Sequence, residues 1–204
     1  MGRGGQFLPF TAQGAETERT AIWVKQELGL GPDAGADPYS VLSRIPARLL
    51  DASAVAAQLP PAQRQAMFQT HRDTWSAIGW GRSPATGEEL ILVNPAHHPR
   101  RQRVSLMEEV VHIVLGHPKT VLVCNHQGVA RPRTYDQAIE EEAYCVGAAC
   151  IIPWPALFSA VHRRGEDDST IAESYGVSRE YAQYRINRAG LAKIYAKQQR
   201  VRSR

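Results

Sequence analysis

The chain has 204 residues, 43% of them hydrophobic and 22% charged, with a formal net charge of +4. That is an ordinary soluble globular composition, long enough for one domain with a proper core or one domain with a small appendage. No apolar run approaches the ~18 to 20 residues that span a bilayer, no apolar segment precedes a small-residue cleavage site at the N-terminus, and Gln6 stands where a myristoylation motif wants Ser or Thr, so a cytoplasmic location is expected.

Residues 1–15 are Gly-rich and lack periodicity, as a flexible tail would. "ETERTAIWVKQELG", residues 16–29, reads as a helix stopped by Gly29. "DPYSVLSRI" starts a second helix with Asp37 as cap and Pro38 early, and "LPPAQRQAMFQTHR" a third behind Pro61. "TWSAIGW" then alternates, a turn-rich stretch follows, and "LILVNP" is a short apolar run; together these predict a β-hairpin. A helix is expected from about Arg100 to Leu115, with Gly116 suited to its C-terminal cap and Pro118 preventing continuation. After a loop holding "CNHQG", residues 134–151 form a strong helix that Thr134 or Asp136 can cap and Pro153 and Pro155 break. "WPALFSAVHRR" is a short helix, and the stretch from Asp167 to Leu191 reads as helix, Gly-containing turn, helix.

The organisation expected is therefore a tail at 1–15, a main domain at 16–164, a helix-pair segment at 165–192 and a basic tail at 193–204. The last twenty residues carry seven Lys or Arg and no acid, so the remainder of the chain nets −3. Such an end is either a solvated terminus or a contact for nucleic acid or an acidic partner. Three cysteines, Cys124, Cys145 and Cys150, are an odd count without a signal peptide, which argues for buried thiols rather than a disulfide framework.

The chemistry concentrates in "SLMEEVVHIVLGH", residues 105–117. Side chains four apart share a helix face, which is why zinc peptidases place two ligands at i and i+4 with a glutamate at i+1 as general base. Here the i and i+4 pair is Glu108 and His112, and the i+1 residue is Glu109. The apolar Leu106, Val110, Ile113 and Val114 surround them, and charged groups in such a place are costly unless paired, protonated or bound to metal. On the 134–151 helix, Glu142 is three after Ile139 and four before Val146 and so shares their face. Packing of the two helices would bring it to Glu108 and His112 as a third ligand. The alternative is that "IEEEA" is a solvated helix face. His117 is either a group behind the ligands or a cation favoured by the helix end. His97, His98, Cys124 and His126 match no metal-ligand spacing and are assigned to loops.

"RVSLMEEVVHIVLGH" followed by "EEEAYCVGAACIIP" resembles the ImmA/IrrE metallo-endopeptidase family, which typically reads R-F-T-x-A-H-E-x-G-H-x-x-x-x-H and then E-A-x-x-F-A-x-x-L-L-M-P. Arg103, Ser105, Leu106, Glu109, His112, His117, Glu142, Ala143, Ala148 or Ala149, and Pro153 fall in or near corresponding places. The hairpin before the active helix and the segment "AESYGVSREYAQYRINRAG" extend the likeness over residues 16–192. The resemblance implies an α+β fold, a mainly helical zincin-like domain with a small antiparallel sheet and a C-terminal helix-turn-helix-like segment. It also implies a zinc-dependent endopeptidase that cleaves a regulatory protein such as a helix-turn-helix repressor, with metal ligands at position 108, His112 and Glu142 and with Glu109 as base. The sequence departs from the pattern at Glu108, where the family has histidine. Carboxylates ligate zinc, but two carboxylates and one histidine lean towards Mn²⁺ or Fe²⁺. The other reading of Glu108 is a catalytically weak or inactive regulatory module that binds a partner protein or DNA. In the helix-turn-helix-like segment Arg179, Arg185 and Arg188 are the candidate nucleic-acid contacts; the competing reading is packing on the main domain, and DNA is the lesser expectation.

Overall fold

The computed structural model describes residues 7–118, 122–124, 130–132 and 136–202. The elements run α1 (Ala12–Glu27), α2 (Pro38–Val41), β1 (Ala47–Leu49), α3 (Ala52–Gln58), α4 (Pro61–Gln65), β2 (Ala77–Arg82), β3 (Glu89–Val93), α5 (Pro99–Leu115), β4 (Leu122–Cys124) and β5 (Ala130–Pro132). There follow α6 (Gln137–Ile151), α7 (Trp154–Phe158), α8 (Asp168–Tyr175), α9 (Arg179–Arg188) and α10 (Ala192–Arg202). This is the α+β, mainly helical fold expected. Two compact units divide it, one of residues up to Ala36 together with Tyr144 onward, the other Asp37–Ala143.

The Asp37–Ala143 unit is built on a three-stranded sheet of order β1-β3-β2. The predicted hairpin is present: β2 and β3 pair antiparallel from Ala77↔Val93 to Arg82↔Glu89. Its register slips between Gly79 and Gly81, and Gly81 has φ +116°, a conformation that suits glycine at a bulge. The sheet is mixed rather than purely antiparallel, because the three residues of β1 run parallel to β3, Ala47 opposite Glu89 and Leu49 opposite Ile91. Ala47, Ile91 and Val93 from the sheet and Leu106 from α5 make its buried cluster, with Leu42, Ile45, Ala77 and Ile113 at the margin. The α5 helix thus packs on the sheet through Leu106 and Ile113, residues seven apart and so on one face.

The ends of α5 are set by local chemistry. Pro99 occupies the first turn, where its missing N–H costs nothing, and the His98 side chain accepts from the Arg100 N–H at 3.2 Å. Gly116 ends the helix at φ +68°, ψ 30°, and the His117 N–H returns to the His112 carbonyl at 2.9 Å. In α6 the Asp136 carboxylate accepts from the Ala138 N–H at 2.9 Å, which makes it the cap; Thr134, the other candidate, lies outside the described residues.

The second unit is helical. Thr11 caps α1 by accepting from the Gly14 N–H at 3.1 Å, so four residues of the stretch expected as a tail are helix. The core here includes Val24, Leu28, Ile151, Ile152, Trp154, Leu157, Ile171 and Ile186. An ion pair is buried inside it. Glu18 accepts from the Arg185 guanidinium at 2.5 Å and from the Trp154 N–H at 2.9 Å, and Arg185 also donates to the Ile152 carbonyl at 3.0 Å. Cys145 and Cys150 are free and buried, as expected. The basic end is not a tail but α10, held where the Tyr195 hydroxyl accepts from the Asp168 N–H at 3.1 Å. Among the described residues no single helix is long and apolar enough to cross a membrane.

Candidate metal centre

Three side chains on two helices bring their ligand atoms within 4.8 Å of one another: Glu108 and His112 from α5, and Glu140 from the start of α6. The α5 pair follows from the i, i+4 spacing. His112 Nε2 lies 3.5 Å from Glu140 Oε2. His112 Nδ1 points the other way, to His117 Nδ1 at 2.9 Å.

Glu142, expected as the third ligand, is not in this group. Its carboxylate lies 3.5 Å from His117 Nε2, and its side chain is 51% exposed against 28% for Glu140. The reason is helix phase. In the first turns of α6 the inward stripe is Ile139, Glu140 and Ala143, while Glu141 and Glu142 are exposed. Glu140 is three before the fully buried Ala143 and shares its face; Glu142 is next to it and turned by about 100°. Val146, which aligned Glu142 with the core, belongs to a part of α6 that is buried on all sides. The signal that finds Glu140 is thus its spacing from the small Ala143, not from Val146.

Electrostatics fit a cation. Burial pushes the Glu108 carboxyl up to about 7, helped by the Glu140 charge. Burial pushes Glu109 up to about 8, helped by Glu108 and Glu140. Burial also lowers His112, which keeps its imidazole neutral as a metal ligand requires. The pocket therefore gathers buried carboxyl groups beside a neutral imidazole. A divalent ion would favour their ionised forms, and carboxylate and imidazole donors suit zinc or a harder first-row ion.

Glu109 faces the sheet. A Cβ added at Gly79 on β2 would stand 3.4 Å from Glu109 Oε2, so the absence of a side chain there leaves room beside the carboxylate. Other sequence candidates lie apart. His97 is buried in the turn before α5, its ring nitrogens without hydrogen-bond partners, and His98 caps α5. His126 lies outside the described residues, as does the side chain of Cys124. Arg185 is 1% exposed and held by Glu18, which corrects its reading as a nucleic-acid contact: no face of it is left for a phosphate. Arg179 is exposed but pairs with Asp168 at 2.9 Å, and Arg188 donates to Cys145 Sγ at 2.9 Å and lies over the Tyr184 ring.

Residues 62–187 match the family described as the IrrE N-terminal-like domain. The chain is also similar to the radiation response metalloprotease IrrE of Deinococcus radiodurans, 28% identical over 176 residues, which are 84% of this chain and 51% of that protein. It spans about half the length of this curated relative.

Proposed function

Because the chain belongs to the IrrE N-terminal-like domain family of metallopeptidases, we propose that it is a metal-dependent endopeptidase acting on a regulatory protein, such as a helix-turn-helix repressor. The observation that carries the reading is the convergence of Glu108, His112 and Glu140 within 4.8 Å beside a glutamate at the general-base position. Those three would hold the ion, zinc by family or Mn²⁺ or Fe²⁺ by the carboxylate-rich donor set. When bound, a divalent ion supplies Lewis-acid polarisation of the scissile carbonyl and lowers the pKa of a water.

The chain's own residues do the rest. Glu109 takes a proton from the attacking water and returns it to the leaving amine. Its burial raises its proton affinity, and an ion held by Glu108, His112 and Glu140 would lower it again towards the range in which a carboxyl both takes and gives a proton. Glu108 supports a second reading as well: a third carboxylate beside Glu109 and Glu140 adds negative charge where the family has histidine, and a regulatory module without catalysis would tolerate that charge.

A fluorogenic peptide library, incubated with the protein and added Zn²⁺ or Mn²⁺, separates the two. The peptidase reading expects cleavage that a chelator abolishes and that Glu109→Gln lowers by ~10²-fold or more. Cleavage unchanged in Glu109→Gln would remove the assignment. Metal bound with no cleavage of any peptide or repressor would favour the regulatory module.

A further inference from the structure

We infer that His117 is a positioning residue for the metal-binding histidine, holding the proton of His112 Nδ1 so that Nε2 offers its lone pair to the ion, with Glu142 bracing His117 from behind. The inference rests on the metal reading above and concerns residues that reading leaves unused.

The geometry is a chain of contacts. His112 Nε2 faces Glu140, while His112 Nδ1 meets His117 Nδ1 at 2.9 Å. Two ring nitrogens at that distance need one proton between them. A neutral imidazole has a single N–H, so an ion on Nε2 leaves it on His112 Nδ1, and His117 Nδ1 is then the acceptor. His117 in turn carries its proton on Nε2, which faces Glu142 Oε2 at 3.5 Å. The rings stand edge to face, 5.0 Å between centroids, with the His117 side chain 11% and the His112 side chain 17% exposed.

The backbone reinforces the same contact. Gly116 turns the chain at φ +68°, and the His117 N–H binds the His112 carbonyl at 2.9 Å, so main chain and side chain both tie residue 117 to residue 112. Metal-ligating histidines commonly donate their second N–H to a carboxylate or carbonyl, which fixes the tautomer and ring orientation. Here a histidine and a glutamate in series do that work. It also gives Glu142 a role that its distance from the ligand group would otherwise deny it.

The test measures Zn²⁺ affinity of the full chain by chelator competition, beside the ¹⁵N-coupled imidazole proton spectrum of the Zn²⁺-loaded protein. Variants are His117→Phe, which keeps a ring and removes the acceptor, and His117→Asn, whose side-chain oxygen sits near the position of Nδ1. The expected result is a ~10- to 100-fold weaker affinity in His117→Phe, largely recovered in His117→Asn, with a His112 Nδ1–H resonance seen in wild type and His117→Asn and lost in His117→Phe. Wild-type affinity in His117→Phe would overturn the inference, as would equal losses in both variants when both fold. A wild type that binds neither Zn²⁺ nor Mn²⁺ would overturn the metal reading itself and this inference with it.

Discussion

Glu108 and Glu109 govern how the metal-free protein responds to pH. Their folded-state values, about 7 and about 8, lie above the ordinary 4.5 of a glutamate. For a carboxyl raised on folding, the linked stability is fully present below its ordinary value and is lost as pH rises through the folded one. The thermal midpoint of metal-free protein should therefore fall between roughly pH 5 and pH 9 beyond what other groups cause, a divalent ion should restore it at the alkaline end, and Glu108→Gln should flatten the slope. A midpoint that rises across that range would show the carboxyls are not desolvated as described. At this scale the sequence was legible where spacing is short. The i, i+4 pair on α5 needs only one uninterrupted helix. The partner on α6 needed the phase of a second helix, and that helix changes from a one-sided to an all-round buried pattern near Tyr144. Averaging both halves put Glu142 on the inner face, where the first turns alone put Glu140.

Elements with strong local signals are legible in the sequence. The Pro99 start and Gly116 stop of α5 are chemical, not tertiary, and the hairpin of β2 and β3 announces itself by alternation and a turn. The elements missed lack such marks. Three-residue β1 is a strand only because β3 pairs with it, and α3 has no buried residue to make a stripe. The α10 helix is rich in charge, yet its Ala, Lys, Gln and Arg are all good helix formers. One stop can be tested directly. Gly116 has open space around its missing Cβ, so Gly116→Ala meets no clash and pays only for its left-handed backbone, about 1–2 kcal/mol. Chemical denaturation would measure that loss. Because the same turn carries His117, metal affinity should fall with it. An unchanged stability would mean the helix end relaxes to another conformation at no cost.

Across the whole molecule, the two units were the least legible feature, since one of them joins the first 36 residues to the last 61, a pairing no local pattern encodes. Its anchor is the Glu18–Arg185 pair, whose partners are 167 residues apart. In sequence Arg185 reads as a recognition-helix cation because its charge is visible there and the acid that buries it is not. Removing one member leaves the other buried and unpaired, so Arg185→Ala or Glu18→Ala should each cost ~3–5 kcal/mol. If the chain binds duplex DNA at all, the salt slope of binding should be no different in a folded Arg185→Met. A slope reduced by about one unit would instead place Arg185 on a phosphate.

Glu108, His112 and Glu140 are proposed to hold one divalent ion, with Glu142 outside the ligand set. Elemental analysis of purified protein tests it most directly, on wild type beside His112→Ala, Glu140→Ala and Glu142→Ala, each loaded with Zn²⁺ or Mn²⁺ and desalted. Close to one ion per chain is expected in wild type and Glu142→Ala, and loss of the ion in His112→Ala and Glu140→Ala. Metal retained in Glu140→Ala and lost in Glu142→Ala, or no metal in wild type, would contradict it.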